Sequence, residues 1–307
     1  MWLSRFCFEL QPGFFGIGET KMDWTPSFLL EKIPFGKWVK FFVDGLTNNF
    51  HAEFRVFSDS LEWVIQGTIT LMGGMPPLIF IALICALAFW LHRKWALVIG
   101  VAGAMLLILN LGYWEQTIQT VALVLYATLV SVVFGIPLGI AAAHRKWLFT
   151  AIRPILDLMQ TIPTFVYLIP TLMLFGLGMV PGLISTVIFA IPAPVRLTYL
   201  GVTAVPDSLI DAGKAFGASK RQLLWKVELP YAMPTIMAGL TQCIMLSLSM
   251  VVIAALVGAD GLGKPVVRAL NSVNIAMGFE AGLAIVIVAI VLDRMLKQPE
   301  GKEHMGV

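Results

Sequence analysis

The sequence predicts an all-α integral membrane protein with about seven transmembrane helices, and three observations predict it. Of 307 residues, 58% are hydrophobic and only 13% are charged, about half the roughly 25% of an ordinary soluble domain. Apolar runs of 17 or more residues recur along the chain, long enough for a hydrocarbon core of about 30 Å at about 1.5 Å rise per residue. The basic residues fall in alternate loops. A large soluble core cannot account for this composition.

In chain order, residues 1–60 read as a mixed, aromatic-rich tail with Pro12, Pro26 and Pro34. Glu9, Pro12 and the glycines interrupt any apolar core before a cleavage site, so the start does not read as a signal peptide. In "SLEWVIQGTITLM", Leu61, Val64, Ile65, Ile69 and Met72 recur at helical spacing, which predicts an amphipathic helix in the membrane interface. Gly73-Gly74-Met75-Pro76-Pro77 ends it. Seven spans are then expected: about 75–91, 95–112, 116–143, 155–177, 180–204, 232–258 and 279–296. Pro163 and Pro170 in the fourth, and Pro192 and Pro194 in the fifth, predict kinks or breaks.

Orientation follows from lysine and arginine. Loops 92–94, 144–154 and 205–231 with the tail after 293 hold twelve of them, and the alternate loops hold two. That bias places the first group in the cytoplasm. Seven crossings then put residues 1–60 outside and 297–307 inside. The bilayer is the expected solvent and the cell membrane the expected location.

The polar insert "DAGKAFGASKRQLLWKVELP", Asp211–Pro230, carries four basic residues, two acids and two glycines between apolar runs. Its chemistry predicts two short helices. Pro206-Asp207-Ser208 is a start signal, and Gly217 is a left-handed cap. Ser219 with Gln222 has capping-box spacing, and Pro230 is a stop. A solvated connector needs no apolar face, whereas Leu223, Leu224, Trp225 and Val227 supply one. The insert is therefore expected to dock a cytoplasmic partner.

These residues resemble the "EAA" loop of permease subunits from ATP-binding-cassette importers, E-A-A-x3-G-x9-I-x-L-P. The chain has Asp211-Ala212-Gly213, Gly217, Val227, Leu229 and Pro230 at the same spacing; Asp replaces Glu, Gly replaces the second Ala, and Val replaces Ile. The resemblance spans roughly Glu115 to Met295 and implies a type I importer core of five spans (115–296), with 61–114 as accessory helices. "LDLMQTIPTFVYLIP" and the stretch from Val257 to Arg294 are similar to the glycine betaine/proline permease subfamily, which imports quaternary ammonium osmoprotectants. The resemblance implies that the loop seats in a groove of a separate ATPase. Two ATPase copies would carry ATP and Mg, with no cofactor on this chain. A second copy of the permease and an external substrate-binding protein are also implied. Glycine at 213 is expected to soften the first loop helix by about 1 kcal/mol relative to alanine.

Other features weigh less. "GADGLGKP" nearly matches a phosphate-binding loop, but Pro265 replaces the metal-holding hydroxyl and no strand precedes it. An external turn is expected there, with Asp260, Lys264 and Arg268 available to a delivering protein or simply solvated. Arg196 lies inside the fifth span, where a charge costs about 2.5–3.5 kcal/mol. Snorkelling or pairing with Asp157 explains it, with a gate role as the alternative. Phe165 and Tyr167 are candidates to cradle a trimethylammonium group, or are belt aromatics. No catalytic constellation, metal cluster or nucleic-acid signal is legible, and the three cysteines read as packing residues. The rival reading is an ion-gradient-driven secondary transporter, disfavoured by the scarcity of intramembrane carboxylates.

Overall fold

A computed structural model describes residues 34–296; the readings for Cys7, Pro12, Pro26 and the tail 297–307 lie outside the described residues. The chain divides into a unit of residues 1–42, described only from 34, and a unit of residues 43–307. All regular structure among the described residues is helical. In order, the helices are α1 Phe35–Gly73, α2 Pro77–His92, α3 Trp95–Asn110, α4 Trp114–His144, α5 Lys146–Thr161, α6 Thr164–Phe175 and α7 Met179–Ala190. They continue with α8 Pro192–Thr203, α9 Asp207–Ala215, α10 Lys220–Leu223, a π-helical turn Leu224–Glu228, α11 Leu229–Ala255, α12 Gly263–Asn271 and α13 Ile275–Leu296.

Four segments are long and apolar enough to cross a membrane singly: Trp114–His144, Met179–Thr203, Lys220–Ala255 and Ile275–Leu296. Counting α1 with α2, and α5 with α6, as one bent span each raises the number to six. Together with α3, a shorter apolar helix, these six stand where the seven runs were expected. The second run, α3, is an apolar helix of only 16 residues. The fourth, 155–177, is no straight span, because α5 and α6 meet at 97°. Pro163 lacks an N–H and pushes Ile162 to an extended ψ of 132°, so the helix cannot continue. The Tyr167 hydroxyl then reaches back to the carbonyls of Leu158, Met159 and Ile162. The Met159 carbonyl, which loses its i+4 donor to Pro163, is thereby given a partner, as an apolar solvent requires.

The predicted helix face before Gly73 forms. Ile65 is fully buried, and Leu61, Ile69 and Met72 pack against the same core. Val64 is the exception and stays exposed. This helix is pinned at two points, by Ser58 Oγ donating to the Phe175 carbonyl at 3.3 Å and by the Thr68 and Tyr126 hydroxyls 2.6 Å apart. On α2 and α3, Phe80, Ile81, Val101, Met105 and Ile108 join the core formed by Leu123, Val124, Leu183, Leu248 and Val288.

The centre of the bundle is α8, held between α4 and α11. Lipid is as apolar as leucine, so spans associate through close packing of small residues rather than through hydrophobic drive. "GIPLG" places Gly135 and Gly139 one turn apart on α4, facing Pro194, Val195 and Thr198. A Cβ on Gly139 would lie 2.7 Å from both Thr198 Cβ and the Val195 carbonyl oxygen. On the other side of α8, Gly201 meets Ala232, and Gly239 of α11 meets Leu197. Backbone approach of this kind decides which helices are neighbours.

Candidate functional site

The insert folds at the end of the bundle that the charge bias assigns to the cytoplasm. Helix α9 begins at Asp207, but Pro206 stands at the cap without a side-chain hydrogen bond; the side-chain cap expected from Asp207 or Ser208 does not form. Its far end is a glycine-stopped Schellman turn. Gly217, at φ +74°, donates its N–H to the Lys214 carbonyl at 2.9 Å, and Ala218 donates to Gly213 at 3.1 Å. That φ is easy for glycine and strained for other L residues. A Cβ there would meet nothing within 4 Å, so within this chain the glycine serves the turn.

The second helix starts with the capping box. Ser219 N–H donates to Gln222 Oε1 at 2.8 Å, and Gln222 N–H donates to Ser219 Oγ at 3.3 Å. Losing such a cap costs about 1 kcal/mol. We expect Ser219→Ala to speed amide exchange across 219–223 several-fold with the rest of the chain unchanged, read by hydrogen–deuterium exchange.

Pro230 does not stop this helix, contrary to expectation. The chain runs on from Lys220 to Ala255. Pro230 sits in the first turn of α11, and the residues before it widen into the π turn, where Leu229 N–H donates to the Leu224 carbonyl. The wider turn takes up the missing N–H and the ring clash that proline imposes on an α-helix. The loop is thus joined without a break to a membrane-spanning helix.

The seven residues singled out in the insert divide by environment. Asp211 is exposed and pairs with Lys214 at 3.1 Å, and Ala212 is exposed beside it. Gly213 is where the two loop helices touch, since a Cβ there would lie 2.7 Å from Leu223 Cδ1 and 3.8 Å from Val227 Cγ2. Glycine in place of alanine therefore has a packing reason, beyond softening α9. Leu229 is buried in a small cluster with Val202, Ala232 and Ile236, and Pro230 is exposed. Of the expected apolar face, Leu223 turns inward and Trp225 outward. Phe216 is 92% exposed and Trp225 63%, leaving two large aromatics of a polar loop without cover in the chain itself. Pattern alone could not separate these two from the inward-facing apolar residues of the loop.

Arg196 Nη2 donates to Asp157 Oδ1 at 2.6 Å, joining α8 to α5. Three residues on, the Tyr199 ring stacks face to face on Phe149 at 3.6 Å. Phe165 is exposed, while Tyr167 is half-buried with its hydroxyl committed to the bend. Two positions apart on a helix, they diverge by roughly 200°, and the fold does not bring them together as a cage.

At the opposite end, "GADGLGKP" is a packed joint rather than a solvated turn. Ala259 and Leu262 are buried. Leu262 N–H donates to Thr120 Oγ1 at 2.8 Å, and Gly178 N–H donates to the Val257 carbonyl at 3.0 Å. Gly261, at φ +131°, allows Thr120 to approach. Asp260 pairs with Lys264. Beside them an open cleft of about 440 Å³ is lined by Lys264, Val267, Arg268, Asn271 and Ser272. At Tyr113, burial and then the Glu280 carboxylate push the phenol above its ordinary pKa.

Comparisons with known proteins identify the family. The family described as binding-protein-dependent transport system inner membrane component matches residues 135–297. The chain is 44% identical over 274 residues to the glycine betaine transport system permease protein OpuAB of Bacillus subtilis, covering 89% of this chain and 97% of that one. It is 46% identical over 266 residues to the glycine betaine/carnitine transport permease protein GbuB of Listeria monocytogenes, covering 86% and 94%. A solved structure of the MetNI methionine ABC transporter, inward facing, aligns with TM-score 0.52 at 22% identity over 58% of this chain and 91% of that one, a likeness of fold alone. These relatives are transport permease subunits, so neither an enzyme nor the ion-gradient-driven transporter finds support. A multi-pass protein of the bacterial inner membrane, the chain belongs to the family of binding-protein-dependent transport system inner membrane components.

Proposed function

We propose that the chain is the permease of an ATP-driven importer for glycine betaine or a related quaternary ammonium osmoprotectant. One observation carries the coupling part. The insert is a capped helix–turn–helix that continues into α11 without a break while presenting Phe216 and Trp225 to the aqueous side. Such a loop can pass a push into the membrane where its junction with α11 is held, and it is apolar enough to seat in a partner groove. The partner is a cytoplasmic ATPase in two copies, which carries ATP and Mg. Asp211, Ala212, Gly213, Gly217, Val227, Leu229 and Pro230 shape the surface that it meets.

Two copies of this chain form the path between them, from the core 115–296, with 61–114 as accessory helices. Residues 1–60 lie outside the membrane and 297–307 lie inside. The outer cleft at Lys264 and Arg268 faces the extracytoplasmic binding protein. The substrate class rests on the names of the relatives, two of which are glycine betaine permeases. The test is uptake of radiolabelled glycine betaine into proteoliposomes that hold this chain, its ATPase and its binding protein. ATP-dependent accumulation is expected. ATP consumption without betaine entry would remove the substrate, and betaine entry driven by a sodium or proton gradient without the ATPase would remove the motor.

A further inference from the structure

Where the insert meets the membrane helices, a buried carboxylate sits against a histidine from another helix. Glu228, the last residue of the π turn, is 6% exposed. Its Oε2 lies 2.9 Å from Nε2 of His144, the last residue of α4. The other ring nitrogen, Nδ1, lies 2.9 Å from the Ile140 carbonyl. The approach of His144 to Glu228 is at ion-pair distance, without hydrogen-bond alignment at Oε2. The ring stands at the C-terminus of α4. Ile136, Ile140 and Ala143 of α4, together with Leu224, pack against the cluster of Val202, Leu229, Ala232 and Ile236.

The location gives the pair its meaning. A π turn replaces regular i→i+4 bonding and is a natural point of flexure in a helix. A push on Phe216 and Trp225 would therefore bend the chain at Leu224–Glu228 instead of moving α11, unless that turn is held from the side. We propose that His144 and Glu228 are positioning residues that brace this turn against α4, so that displacement of the loop moves α4 and α11 together. The proposal rests on the reading of the loop as the ATPase-coupling element. Neither residue touches substrate or nucleotide; they act through the turn they hold.

The experiment is a coupling measurement on the reconstituted importer, with radiolabelled glycine betaine as the probe. Uptake per ATP hydrolysed is compared for wild type, His144→Ala, Glu228→Ala, the double variant and His144→Lys, after ATPase binding to each has been measured. Both single variants are expected to bind the ATPase and hydrolyse ATP, with the uptake ratio lowered at least fivefold. The double variant should match the singles, because one interaction is lost only once. His144→Lys, which places a cation beside Glu228, should restore at least half the ratio. His144 is half exposed, so its alanine variant tests the pair even where Glu228→Ala fails to accumulate. An unchanged ratio with docking intact overturns the brace alone, as do losses that multiply in the double variant. Failure of the ATPase to bind the wild-type chain sinks the loop reading, and the brace with it.

Discussion

Gly139→Leu should lower the amount of folded protein in the membrane about tenfold, whereas Gly103→Leu leaves it near wild type. The two glycines lie in apolar helices of similar character and differ in what surrounds them. A Cβ at Gly139 would stand 2.7 Å from a Thr198 carbon and 2.7 Å from the Val195 carbonyl oxygen, whereas one at Gly103 meets nothing within 4 Å. The neighbour of Gly139 includes backbone, which cannot rotate away, so α8 itself must move. Overpacking of this kind typically costs 1–3 kcal/mol, and leucine adds three more carbons. Since α8 also holds Gly239 and Ala232 of α11, its displacement loosens both interfaces. A loss of about 1–2 kcal/mol already changes abundance several-fold through quality control. Quantitative blotting of membrane fractions reads the outcome. Equal amounts of the two variants would mean that α4 and α8 are not packed through this contact.

The second large effect is expected at the loop surface. Phe216→Ser with Trp225→Ser should abolish stimulated ATP hydrolysis and uptake while leaving membrane abundance unchanged. Both side chains are mostly exposed in the chain, so their removal costs its own fold little. Buried aromatic anchors at an interface each contribute at least about 2 kcal/mol, or roughly 30-fold in affinity. Two of them together take a micromolar docking beyond useful concentrations. Co-purification of the ATPase with the double variant at wild-type yield would sink the assignment of this face.

How much of this was legible beforehand depends on the range of the forces involved. The apolar runs, the capping box at Ser219 and Gln222, and the glycine turn at Gly217 follow from residues a few positions apart. Hydropathy, orphan amides and the sterics of positive φ act over a turn or two. They can be read in any chain without knowledge of its neighbours.

Proline was legible only as a warning. Pro163 and Pro230 carry the same local chemistry, yet one ends a helix in a 97° bend and the other lies within a continuous span. At Pro163 the freed Met159 carbonyl is taken up by Tyr167, and at Pro230 the strain is absorbed by a π turn whose last residue lies against His144. The inward turn of Leu223 onto Gly213 and the outward turn of Trp225 were decided in the same way. So was the fit of Gly139 to Thr198. The sequence by itself therefore determined which segments are apolar enough for a membrane and where the loop helices start. Only the tertiary structure decided which breaks become bends and which surface remains for a partner. Those outcomes depend on groups brought together from distant parts of the chain, through contacts too short-ranged to exist before the helices have packed.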